Sequence, residues 1–105
     1  MGIVETSVFT KQIRSLLKDD AYRELQEKLV MSPLAGALIR GSGGLRKLRW
    51  ASKGRGKSGG IRVIYYFVAA DDQILMLAAY DKTVKDDLTD KEVAALRKLL
   101  KQELL

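Results

Sequence analysis

The chain has 105 residues, 47% apolar and 30% charged, with 19 lysines and arginines against 13 aspartates and glutamates, a net charge of +6. That length suits one domain (residues 1–105) with a single core, and the balance is that of a globular protein rather than a disordered tail. Cysteine and histidine are both absent, which excludes disulfides and Cys-ligated zinc and leaves acid–base work near neutral pH to Lys, Tyr, Asp or Glu. With no secretory leader in view, a reducing cytoplasm is the expected compartment. The longest apolar run, residues 74–80, is far short of the roughly 20 residues needed to cross a bilayer, so no membrane association is expected. Met1-Gly2 with Thr6 fits a loose N-myristoylation pattern, but Thr6 falls in a predicted strand.

Ile3 to Thr6 is short and β-branched and predicts an opening strand. From Phe9 to Leu17 the apolar positions Phe9, Ile13, Leu16 and Leu17 follow helical spacing. Asp19 and Asp20 supply an N-cap and first-turn charge for a second helix, with Tyr22, Leu25, Leu29 and Val30 as its buried stripe and Ser32-Pro33 as its end. Leu45 to Ala51 alternates with a basic-rich face, predicting a strand. Ile61 to Val68 is dense in β formers, and Asp71-Asp72 turns it into a third run from Ile74 to Tyr80, a hairpin at the centre of an antiparallel sheet. Alternation lets only one of Tyr65 and Tyr66 face the core. Thr89 with Glu92 forms a capping box, and Val93, Leu96, Leu99, Leu100 and Leu104 line one face of a C-terminal helix. The expected fold is α+β: a small antiparallel sheet with two N-terminal helices and one C-terminal helix, the helices gathered on one side.

The positive charge is concentrated. Residues 40–62 carry eight basic side chains, Arg40, Arg46, Lys47, Arg49, Lys53, Arg55, Lys57 and Arg62, without one acid, and seven of the nine glycines. The remainder holds 11 basic residues against 13 acidic ones. Clustered cations neutralise a polyanion and release its counterions, and glycines let backbone N–H groups come close, so the segment is suited to phosphates. The plainer reading, a solvated hairpin that keeps the protein soluble, would mix signs rather than exclude acids. Gly54-Arg55-Gly56-Lys57-Ser58 ends like a P-loop, but the motif's first glycine would fall at Ala51, and a strand follows where a helix is needed. Gly54, Gly56 and Gly59 match dinucleotide-binding spacing and fail on the same context.

The runs Gly43-Gly44-Leu45-Arg46-Lys47-Leu48-Arg49, Lys53-Gly54-Arg55-Gly56-Lys57 and Gly59-Gly60-Ile61-Arg62-Val63-Ile64-Tyr65-Tyr66-Phe67, with Tyr80-Asp81-Lys82 before Asp87-Leu88-Thr89, resemble the RelE/HigB family of bacterial toxins, most closely the HigB-type branch. The resemblance spans about Tyr22 to Leu100. It implies a RelE-like microbial RNase fold and a ribosome-dependent, metal-independent endoribonuclease that cuts translated mRNA in the A site of the 70S ribosome without a cofactor. It also implies a cognate HigA/RelB-like antitoxin, a helix-turn-helix protein through which alone the chain would meet operator DNA. Carried over by position, the family's Lys-x-Lys resembles Lys47 and Arg49, its strand-opening arginine Arg62, and its lysine after the third main strand Lys82. Relatives that end in a catalytic tyrosine or histidine differ from this chain, which has neither after Tyr80.

RNA cleavage without a metal requires the 2′-hydroxyl to lose a proton and attack phosphorus, so fixed cations serve the developing charge. Arg62 on a rigid strand suits a bidentate phosphoryl contact. Crowding by Arg46 and Arg49 would favour the neutral form of Lys47, the direction useful for proton transfer. Lys82 would protonate the leaving oxygen, and Tyr80 would stack a base or move a proton. The expected catalytic set is therefore Lys47, Arg49, Arg62, Tyr80 and Lys82, with Arg46, Lys53, Arg55 and Lys57 gripping RNA. Two other classes compete: a non-enzymatic RNA- or DNA-binding module, and an inactive toxin acting as its antitoxin's co-repressor.

Overall fold

The computed structural model describes residues 1–51, 60–85 and 87–104. Strand β1, Gly2–Glu5, leads straight into helix α1, Ser7–Leu16. Thr6 makes the junction: its Oγ1 accepts the Phe9 N–H at 3.1 Å and donates to the Leu77 carbonyl at 3.1 Å, capping the helix and pinning it to the sheet. Helix α2, Asp19–Met31, begins at the residue expected to cap it, with Lys18 in the cap position and no side-chain cap bond. Asp19 and Asp20 instead occupy the first turn, where their charge opposes the positive end of the helix dipole. Leu25 and Leu29 are buried and Tyr22 half-buried, whereas Val30 is 40% exposed, one position off the stripe. The helix ends at Ser32, before the proline.

The strands that follow are β2 (Ala37–Leu38), β3 (Arg46–Trp50), β4 (Ile61–Val68) and β5 (Gln73–Asp81), with α3 at Asp90–Leu104. A 3-10 turn, Ala69–Asp71, and Asp72 with its left-handed φ of 51° close the β4–β5 hairpin. The sheet order is β1-β5-β4-β3-β2. It is antiparallel from β2 to β5, but β1 joins β5 in parallel, so the sheet is mixed at that edge. A long crossover through α1, α2 and three strands makes the parallel pairing possible.

Both faces of the sheet are covered, which corrects the expectation of helices on one side. Phe9, Ile13, Leu25 and Leu29 from α1 and α2 pack on Val63, Tyr65, Ile74 and Met76. On the opposite face Leu100 of α3 packs with Leu45, Ile64, Leu75 and Leu77. Tyr65 lies in the first layer and Tyr66 against the second, so the pair divides between the faces as alternation requires. One irregularity matters for function. Ile64 pairs with Ala78 and Tyr65 with Met76, leaving Leu77 as an extra residue in β5. Ile74 and Met76 point to the α1–α2 face, yet beyond the extra residue it is Ala79 that does so, and Tyr80 is turned to the α3 face. A bulge that re-aims a side chain in this way is a common device near functional sites.

Candidate active site on the α3 face

Strand register assembles the site. Arg49 is paired with Arg62, and Arg62 with Tyr80, so the three form one row across β3, β4 and β5. Lys47, two residues before Arg49, shares its face and lies opposite Ile64 in the next row. Lys82 follows directly after β5, its backbone N–H bonded to the Gly60 carbonyl at 3.2 Å, at the same end of the sheet. Four expected catalytic residues thus converge on one face, with Lys82 beside them. A groove of about 650 Å³ runs past Lys47 and Arg49, bounded by Arg40 and by Asp87 and Leu88 of the loop before α3.

The members differ in environment. Arg49 is exposed, while Arg62 is only 3% exposed, with Nη1 donating to the Ile61 carbonyl at 3.1 Å. Lys47 Nζ lies 3.1 Å from the Asp87 carboxylate. Of the two arginines expected to crowd it, Arg46 points to the other face and Arg49 shares its own, while the Asp87 carboxylate meets the ammonium. Tyr80 has its hydroxyl buried without a hydrogen-bond partner among the described residues. Burial and then the Asp87 charge push its phenol pKa up, partly offset by Arg62. The group therefore stays neutral and is a proton donor rather than a base. Lys85 lies 5.9 Å from the centre of the Tyr80 ring and pairs with Glu92, tying the loop to α3. The Asp87 carboxyl is held below the usual range by the Leu88 N–H, by Lys47 and, less strongly, by Arg62.

Arg46, expected to grip RNA, points away from this face. Its Nη1 donates to the carbonyls of Gly36 at 2.8 Å and Leu34 at 3.3 Å, on the α1–α2 side, where the Tyr65 hydroxyl accepts the Gly36 N–H and donates to Pro33. It fastens the α2–β2 loop to the sheet. Lys53, Arg55 and Lys57, expected to bind RNA, lie outside the described residues. Asp87 was not among the expected site residues; its sequence signals are a position two residues before the capping threonine and a place in the Asp87-Leu88-Thr89 run that carries the family resemblance. Among the described residues no group of three His, Cys, Asp or Glu is placed to hold a metal, and no helix is long and apolar enough to cross a membrane.

The fold has counterparts among known proteins. A family model for the RelE toxin of the RelE/RelB toxin–antitoxin system matches residues 1–104, and the chain belongs to that family. Among solved structures it is similar to a double arginine-to-alanine mutant of the E. coli toxin RelE in the free state, with a TM-score of 0.61 at 18% identity over 90% of this chain and 94% of that one. The isolated E. coli RelE toxin gives a TM-score of 0.57 at 16% identity, covering 93% and 97%. At such identities the structural likeness concerns the fold.

Proposed function

We propose that the chain is a ribosome-dependent endoribonuclease that cleaves translated mRNA in the A site, needs no metal, and acts in the cytoplasm until a helix-turn-helix antitoxin neutralises it. The observation that carries this reading is the cross-strand row Arg49–Arg62–Tyr80 with Lys47 beside it, in a member of a toxin family. The reaction joins the 2′-oxygen to phosphorus and breaks the bond from phosphorus to the 5′-oxygen. Lys47, released from Asp87, orients the 2′-oxygen and, as an ammonium, stabilises the charge that grows there while the 2′-hydroxyl proton passes to water. Arg62 and Arg49 bear the charge that builds on the phosphoryl oxygens. Arg62 is nearly covered, so the phosphoryl group gains it only on a local rearrangement. Tyr80, kept neutral by its surroundings, donates a proton to the departing 5′-oxygen, and Lys82 stands next to it as the second donor. So small a catalytic surface relies on the ribosome to orient the message, which makes free RNA a poor substrate.

Expression without the neighbouring antitoxin gene is expected to arrest growth and to produce codon-linked cuts in translated messages. Normal growth with intact messages, from a folded protein, would remove the endoribonuclease reading. Arg62→Ala is expected to lower single-turnover cleavage at saturating ribosome by a factor on the order of a hundred or more while binding is largely retained. Cleavage at the parent rate would show that the active site lies elsewhere.

A further inference from the structure

On the α3 face, one of the acids that the chemistry above does not use lies directly against Lys47. Asp87 lies in the loop between β5 and α3, its Oδ1 3.1 Å from Lys47 Nζ and 2.8 Å from the Leu88 backbone N–H. The Lys47 side chain is 22% exposed and that of Asp87 70%, so the ammonium is seated in the sheet and the carboxylate reaches it from the solvent side. A phosphodiester entering the groove would approach along the same direction. A carboxylate and a phosphate also make the same demand on an ammonium: an N–H donor for an anionic oxygen.

The loop around Asp87 is anchored at both ends. Asp81 Oδ1 accepts from the backbone N–H and hydroxyl of Thr83, and the Asp81 carbonyl accepts from the N–H groups of Val84 and Lys85. The reciprocal bonds of Thr89 and Glu92 fix the start of α3. Asp87 can therefore leave Lys47 without unravelling either anchor.

We propose that Asp87 is an internal stand-in for the substrate phosphate: in the free protein its carboxylate holds the anion position on Lys47, and bound RNA takes that position. The inference rests on the reading of this face as the RNA site, and it assigns to Asp87 control over how tightly the site accepts RNA. An ion pair with one partner this exposed is weak, so a polyanion displaces it, and the competition weakens binding by only a small factor.

The test compares the parent, Asp87→Asn, Lys47→Ala and the double variant, each shown to be folded by thermal unfolding. A fluorescent 2′-O-methyl oligoribonucleotide, which has the phosphates and cannot be cleaved, is titrated at low ionic strength. Asp87→Asn is expected to bind about two- to fivefold more tightly than the parent, and the gain is expected to vanish in the Lys47→Ala background. Unchanged or weaker binding by Asp87→Asn overturns the proposal. So does a gain that survives loss of Lys47, since that is the result of general charge removal. No bond is cut in this assay, so its outcome is separate from the growth and cleavage experiments that decide the endoribonuclease reading.

Discussion

Two tyrosines on neighbouring strands are expected to respond oppositely when the hydroxyl is removed. The Tyr80 hydroxyl is buried and unpartnered among the described residues, and such a group costs about 1–3 kcal/mol. Tyr80→Phe is therefore expected to leave stability equal or raise it by up to about 1 kcal/mol, while slowing cleavage by roughly a hundredfold if the phenol is the acid. Urea unfolding and single-turnover cleavage on the same preparation check both halves, and a destabilised, fully active variant would contradict the assignment. Tyr65 is the reverse case. Its hydroxyl bonds Gly36 and Pro33, each at 2.8 Å, so Tyr65→Phe is expected to cost about 1–3 kcal/mol in urea unfolding and to spare the chemistry. Arg46 and Lys47 show what sequence could convey at this scale. Alternation sends them to opposite faces, but which face holds the site depends on Arg49 meeting Arg62 and Arg62 meeting Tyr80, a register set by residues far apart in the chain.

Local signals predicted elements well and distant partners poorly. The Thr89–Glu92 capping box lies within four residues and is present as the reciprocal bonds of 2.9 and 3.1 Å. Strand β4 occupies the very residues whose β propensity announced it. Strand β2, two residues long, offers no period to detect. The second covered face was legible in retrospect, since both alternating sets of β4 and β5 are apolar, as in strands buried on two sides. Helix α3 is the element most open to perturbation, with Leu100 as its one buried residue. Its amide hydrogens are expected to exchange well before those of β4 and β5 in native-state exchange, and Thr89→Ala is expected to lower stability by about 0.5–2 kcal/mol. Equal protection of α3 and the central strands would show the helix to be integral to the core.

Charge and ionisation act on the molecule as a whole. Of the eight basic side chains in residues 40–62, Arg46 is committed to backbone carbonyls and Arg62 is nearly covered. The logarithmic salt dependence of RNA binding is therefore expected to be shallower than the slope of about −6 that eight phosphate contacts on a single strand would give. Titration across ionic strengths checks this, and a slope of −6 or steeper would mean that every cation reaches RNA. Tyr22, Tyr65 and Tyr80 all have pKa values raised above the ordinary 10.0, each chiefly by burial. Because the folded state holds these protons more firmly than the unfolded chain, the stabilisation is present below pH 10 and is lost as pH rises beyond it. Tyrosinate absorbance and circular dichroism are expected to change together above pH 10; full ionisation of a still-folded protein would refute this. The strand order has a consequence for the chain as it is made. Strand β1 emerges first, yet its partner β5 comes 71 residues later, as Thr6 and Leu77 also show. The row that includes Tyr80 likewise waits for the third main strand. Vectorial synthesis therefore has to pass β5 before the candidate surface can assemble, and such non-local pairing is slow to close. Each newly made molecule passes through an interval of harmlessness, written into its topology, during which a partner synthesised alongside it can arrive first.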